Sequence, residues 1–156
     1  MSVKIGLVSL GCAKNLVDSE VMLGQLHQAG YTITNNNEEA EVLIVNTCGF
    51  ISTAKEESIN TILELAALKE EGTCRLLVVV GCLVQKYHEE LKRELPEVDI
   101  WLGTDKAEEI AEVIEKGMKR NKIEGINLDP SYVYSDNIIR LQSTPKHTAY
   151  LKIAEG

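Results

Sequence analysis

Four residues carry most of the chemistry this sequence offers: Cys12, Cys48, Cys74 and Cys82. Thiolates ligate soft metals and iron–sulfur clusters or act as nucleophiles, and protonated thiols fill cores. Three of the four share a setting. Cys12 follows the apolar run Val3–Leu10 through Gly11, Cys48 follows Val42–Val45 through Asn46 and Thr47, and Cys82 follows Leu76–Val80 through Gly81. If those runs are parallel strands, the three thiols gather at the carboxyl edge of one sheet, where open α/β folds bind ligands. Cys74 precedes its run, which puts it at the opposite edge.

Three thiolates without a fourth protein ligand suit two inorganic centres. Zinc would need a histidine or water to complete its shell. A 4Fe–4S cluster held by three cysteines would keep one iron open. His27 falls near the far end of a helix and His147 in the tail, and His88 reads as solvent-facing. The scarcity of placed histidines favours iron–sulfur over zinc, and core filling remains the plain alternative. Gly11, Gly49 and Gly81 flank the thiols, as close backbone approach to a bulky group would require. Lys14 is placed to offset cluster charge or to stand exposed in a loop. Asp18 and Glu20 read as capping and solvated-face residues, and Glu38, Glu39 and Glu41 as solvated surface. No GxGxxG or GxxxxGK[ST] loop is present, so phosphate binding by those devices has no support.

The elements that must position these thiols alternate. After the strand Val3–Leu10 comes a helix over Asn15–Ala29, closed by Gly30, then a short β run Tyr31–Thr34 and a polar turn Asn35–Asn37. A helix from about Ser52 to Glu70, closed by Gly72, follows the Val42–Val45 strand. After Leu76–Val80 come a helix Lys86–Leu95 stopped by Pro96, a strand Val98–Leu102 and an amphipathic helix Asp105–Arg120. Asn15 with Asp18, and Thr53 with Glu56, read as capping boxes whose helices would aim their positive ends at the thiol edge and stabilise thiolates.

Strands apolar on both faces, each followed by a helix, predict an α/β fold with an open, doubly wound, mostly parallel sheet and helices on both faces. One connection resists. Only Asn35–Glu41 separates two strands, so either Glu38–Ala40 forms a single helical turn or the two strands are antiparallel.

The 156 residues suit one domain over 1–125, a polar linker over 126–147, and the start of a further element over 148–156, a pattern expected of a piece of a longer protein. Sixteen basic against 24 acidic residues give a formal net charge of −8, which repels phosphate backbones and disfavours nucleic acid as a partner of this domain. No apolar run approaches the roughly 20 residues that span a bilayer, and Ile5–Leu10 is too short for a signal-peptide core. A cytoplasmic protein, with no membrane partner and no disulfide framework, is the expectation.

The string from Ser9 to Glu20 (SLGCAKNLVDSE), the segment Asn46-Thr47-Cys48-Gly49-Phe50 and the tripeptide Gly81-Cys82-Leu83 resemble the N-terminal domain of radical S-adenosylmethionine methylthiotransferases. The closing Ala149–Gly156 looks like the segment preceding that family's CxxxCxxC motif. Gly-Cys-Ala-Lys-Asn-Leu-Val-Asp-Ser-Glu is similar to the branch (RimO type) that modifies an aspartate of a small-subunit ribosomal protein, with the tRNA-modifying branch or a non-catalytic zinc or thiol module as alternatives. The fold expected from the strand and helix pattern above is flavodoxin-like. The resemblance implies that Cys12, Cys48 and Cys82 hold an auxiliary 4Fe–4S cluster with one open iron site, which takes sulfur from a donor. S-adenosylmethionine and a second 4Fe–4S cluster would act in a following radical barrel domain. By the same resemblance this stretch holds no catalytic residue of the radical step and is inactive alone.

Overall fold

The computed structural model describes residues 3–10, 13–48, 52–72, 74–103, 109–119 and 123–125. Along the chain lie β1 (Lys4–Ser9), α1 (Ala13–Gln28), β2 (Thr32–Thr34), β3 (Val42–Thr47), α2 (Ser52–Glu71), β4 (Leu76–Gly81), α3 (Cys82–Glu94), β5 (Ile100–Leu102), α4 (Ile110–Lys119) and β6 (Ile123–Gly125). Among the described residues the sheet has six strands in the order β2-β1-β3-β4-β5-β6, and every pairing is parallel. That is the expected doubly wound α/β fold, with its reversal of direction at β1 and β3.

Side chains alternate across this sheet with a period of two. Val42, Ile44, Val78, Val80, Ile100 and Leu102 enter one core with Val21, Met22 and Leu26 of α1 and Ile110, Val113 and Ile114 of α4. Leu43, Val45, Leu77, Val79 and Trp101 enter the other with Ile62, Leu65 and Ala66 of α2 and Leu83, Val84 and Leu91 of α3. Every residue of β3 and β4 is buried, because helices cover both faces of the sheet's centre. Those two strands are therefore continuous β-branched and leucine runs rather than alternating ones.

The short connection that resisted a parallel reading is explained by strand order. β2 and β3 are not neighbours; they flank β1 on opposite sides and both run parallel to it. β2 is three residues long, so the chain must return only about 10 Å along the strand and cross two spacings of about 4.8 Å. Residues 35–41 can reach about 23 Å. They form a turn in which Glu39 N–H donates to Asn36 O and Ala40 N–H to Asn37 O, after which Glu41 N–H joins Lys4 O at 2.8 Å. The antiparallel alternative is excluded, and the connection is a single hydrogen-bonded turn at the place where the other alternative put one.

Other boundaries differ from the sequence reading. β3 extends through Asn46 and Thr47. α3 begins at Cys82 rather than Lys86, and Tyr87, at φ −126° and ψ 25°, kinks it where the sequence pattern begins a helix. β6, with one apolar side chain in three residues, lacked a readable pattern. The linker 126–147 and the element at 148–156 lie outside the described residues, as does the thiol of Cys12. No described helix is long and apolar enough to cross a membrane.

Candidate metal centre

The carboxyl ends of β1, β3 and β4 stand side by side. Ser9 is in register with Asn46, and Thr47 with Gly81. Cys48 and Cys82 are each one residue beyond that last pair, on neighbouring strands that run about 4.8 Å apart. Gly81 makes their approach feasible. Its φ is +108°, and a Cβ there would sit 2.6 Å from Thr47 O and 2.8 Å from Asn46 Oδ1. Only glycine combines that backbone angle with that contact.

Beneath the edge lies a polar network that the sequence does not announce. α1 starts at Ala13, so Asn15 lies inside the first turn rather than at its cap. Its amide has the opposite polarity to a cap. Nδ2 donates to Leu10 O at 2.9 Å and to Thr47 O at 2.6 Å, while Oδ1 lies 3.9 Å from Cys82 Sγ as acceptor. Asn46 Nδ2 in turn donates to Asn15 O at 2.8 Å and Ser19 Oγ at 3.0 Å, and Ser19 Oγ–H reaches Ser9 Oγ at 2.8 Å. Thr47 Oγ1 donates to Val80 O at 2.6 Å. Asn15, Asn46, Thr47 and Ser19 are all buried, and these bonds offset the cost of removing their polar groups from water.

Ser58 of α2 secures Cys48 in the same manner. Its hydroxyl accepts from Cys48 N–H at 3.1 Å and donates to Cys48 O at 2.9 Å, and the side chain is fully buried. Cys48 is buried, while Cys82 is half-buried at the first residue of α3. The amino end of a helix carries the positive end of its dipole, which stabilises negative charge on a thiolate in its first turn. Two cations stack on Tyr87 of α3: Lys55 Nζ, in the first turn of α2, sits 3.9 Å from the centre of the ring, and Lys86 Nζ sits 5.2 Å from it.

Several sequence expectations need correction. Asp18 and Glu20 are not on a solvated face: both are buried, because α1 is enclosed on nearly every side from Asn15 to Met22. The Asn15–Asp18 capping box is absent, since Asn15 is spent on strand carbonyls. Thr53 is the second residue of α2, not its cap. His88 does not face solvent; its side chain is 15% exposed and its ring meets Trp101 edge-on at 6.4 Å. Glu38 and Glu39 are exposed as expected, with Glu39 held below the usual carboxylate range by the Thr34 hydroxyl and by Lys4.

Cys74 lies at the opposite edge of the sheet from Cys48 and Cys82, as its place before the strand implied. It lies before β4 in the second core, donates to Leu76 O at 3.4 Å, and burial pushes its thiol pKa up. Ser58, Asn46 and Thr47 were not singled out from sequence as parts of the site. Ser58 stands at helical spacing with Ile62, Leu65 and Ala66, a polar residue on an apolar stripe, and that was the available signal.

Of the three candidate ligands, Cys48 and Cys82 are brought to one edge and Cys12, two residues beyond Leu10, lies outside the described residues. Among the described residues no three His, Cys, Asp or Glu side chains form a metal-binding group. The donors that are described suit an iron–sulfur centre: two soft sulfur atoms, each one residue past the ends of the adjacent strands β3 and β4, with the first turn of α3 starting at one of them.

The chain is 56% identical over 153 residues to a protein of Geobacter sulfurreducens named ribosomal protein uS12 methylthiotransferase RimO, an alignment covering 98% of this chain and 34% of that one. Relatives of the same name from Citrifermentans bemidjiense and Anaeromyxobacter are 54% identical over 153 residues and 52% identical over 156 residues, covering 34% and 33% of their lengths. The chain thus spans about a third of the length of the curated relatives it matches. A family model also matches residues 4–103, from the first residue of β1 to just past β5, and by that match the chain belongs to the family described as "Uncharacterized protein family UPF0004".

Proposed function

We propose that this chain is the auxiliary-cluster domain of a methylthiotransferase that modifies an aspartate of ribosomal protein uS12 in the cytoplasm. Cys12, Cys48 and Cys82 are the three ligands of a 4Fe–4S cluster in this reading. The reaction class rests on the 56% identity to a relative named for it, over nearly the whole of this chain. The placement of Cys48 and Cys82 beyond the Thr47–Gly81 pair supports the ligand set. When bound, such a cluster supplies an open iron position for the sulfur that is passed on as a methylthio group.

The chain's own residues hold and orient. Gly81 lets β3 and β4 close together at their ends, and the position of Cys82 at the amino end of α3 favours its thiolate through the helix dipole. S-adenosylmethionine and a second cluster belong, in this proposal, to the remaining two thirds of the relatives' length. Residues 1–125 form the cluster domain, 126–147 a linker, and 148–156 the beginning of the radical domain. The acidic balance of the chain agrees with a protein substrate rather than tRNA.

The test uses the full-length enzyme containing this chain, reconstituted anaerobically with iron and sulfide and given S-adenosylmethionine, reductant and ribosomal protein uS12. A methylthio mass increment on one aspartate of uS12 is expected. An increment on tRNA, or on neither substrate while a zinc ion is bound, would overturn the proposal.

A further inference from the structure

We propose that Asn15 and Ser58 are positioning residues that set the thiol edge into its ligating arrangement before any metal arrives. The inference deepens the cluster reading above and rests on it.

Each residue is fully buried, and each spends its side chain on the backbone that carries a candidate ligand. Asn15 draws together three elements. Its two N–H bonds reach Leu10 O at the end of β1 and Thr47 O at the end of β3, and its carbonyl faces the Cys82 sulfur on α3. The residues that follow those two carbonyls in sequence lead within two positions to Cys12 and directly to Cys48. A side chain that offers two donors and an acceptor from one short stem is an asparagine. Aspartate would present oxygen to both carbonyls and negative charge to the sulfur.

Ser58 fixes the remaining freedom at Cys48. Bonding the N–H and the C=O of one residue through a single hydroxyl sets the orientation of both flanking peptides. That backbone lies past the last ladder pair, Thr47 with Gly81, and has no described strand to hold it. The two side chains therefore replace ladder hydrogen bonds at the point where the ladder stops. Groups that orient metal ligands in this way change affinity by about 10- to 100-fold when removed.

The test compares four proteins of the full chain: wild type, Asn15→Ala, Ser58→Ala and Asp99→Ala. Asp99 is the control, since its Oδ2 likewise accepts two bonds, from Lys69 Nζ and Leu77 N–H, but at the opposite edge of the sheet. Apo-protein melting temperature, iron retained under a graded chelator challenge, and the electron paramagnetic resonance spectrum of the reduced cluster are measured for each.

All three variants should melt below wild type. Asn15→Ala and Ser58→Ala should lose iron at chelator concentrations at least about tenfold lower and show altered resonance signals. Asp99→Ala should retain iron and spectrum as wild type does. Equal iron retention and identical spectra across all four would overturn the inference while leaving the cluster reading intact. A wild-type chain that takes up no cluster would overturn both.

Discussion

A cysteine flanks β4 at each end, Cys74 two residues before it and Cys82 one residue after it, and the two ends have opposite chemistry. At the amino end, Cys74 lies in an apolar core, its thiol held protonated by burial. That edge is closed by Lys69 and Asp99, 2.6 Å apart, with Asp99 also accepting from Leu77 N–H and Lys69 donating to Glu97 O. Lys69 and Asp99 satisfy each other and two backbone groups there, while among the described residues Glu97 Oε2 is buried without a hydrogen-bond partner. At the carboxyl end, Cys82 begins a helix, half-buried and beside an asparagine carbonyl. Polar side chains there hold backbone, and Cys82 itself is only partly buried. The same strand shows that a cysteine's residue type says little about its task; the end of the strand it occupies says more.

Substitutions can break this contrast at either end. The largest stability loss is expected at Gly81→Ala, where a positive φ and contacts of 2.6 to 3.0 Å with Thr47 and Asn46 act together. A loss of about 3 kcal/mol in urea unfolding is expected. Gly30→Ala serves as the matched case, since Gly30 also has a positive φ of +94° but nothing lies within 4 Å of its added Cβ. That variant should lose only about 1 kcal/mol. Next in size is Asp99→Ala at the amino edge, which strands the partly buried Lys69 ammonium and should cost about 2 kcal/mol in the same assay.

Much of this architecture was legible because apolar runs and helical stripes are long-range averages. The parallel sheet, the separation of Cys74 from the other cysteines and the two-sided cover all follow from continuous runs such as Leu76–Val80. The thiol edge was legible only in part. Asn15 stood where a cap is expected, and local sequence cannot say whether an amide turns toward its own helix or toward Thr47 of a strand more than 30 residues away. Asp18 and Glu20 carry charge, yet they are enclosed; composition reports polarity, whereas burial depends on what packs over α1. The route from β2 to β3 could not be read because strand order, with β1 between them, is a tertiary fact.

Smaller effects sharpen the comparison through thiol chemistry. With iodoacetamide on the metal-free chain at pH 8, read by mass spectrometry, Cys82 should alkylate at least about tenfold faster than Cys74. The smallest effect concerns pH. The folded state binds the Cys74 proton more tightly than the unfolded chain does, so this contribution to stability is intact below the ordinary thiol value of 9.0 and is lost as pH rises above it. Tyr31, raised from 10.0 by burial and then by Glu115, adds a similar loss at higher pH. Urea unfolding across pH 8 to 11 should therefore fall less steeply in Cys74→Ala than in wild type.

The most direct measurement is iron bound per chain after anaerobic reconstitution of four single variants, Cys12→Ser, Cys48→Ser, Cys74→Ser and Cys82→Ser. Cys74→Ser should hold about four irons, as wild type does, and each of the other three should lose most of its iron. Equal iron in all four variants, or loss confined to Cys74→Ser, would contradict the assignment of a cluster to the carboxyl edge of the sheet.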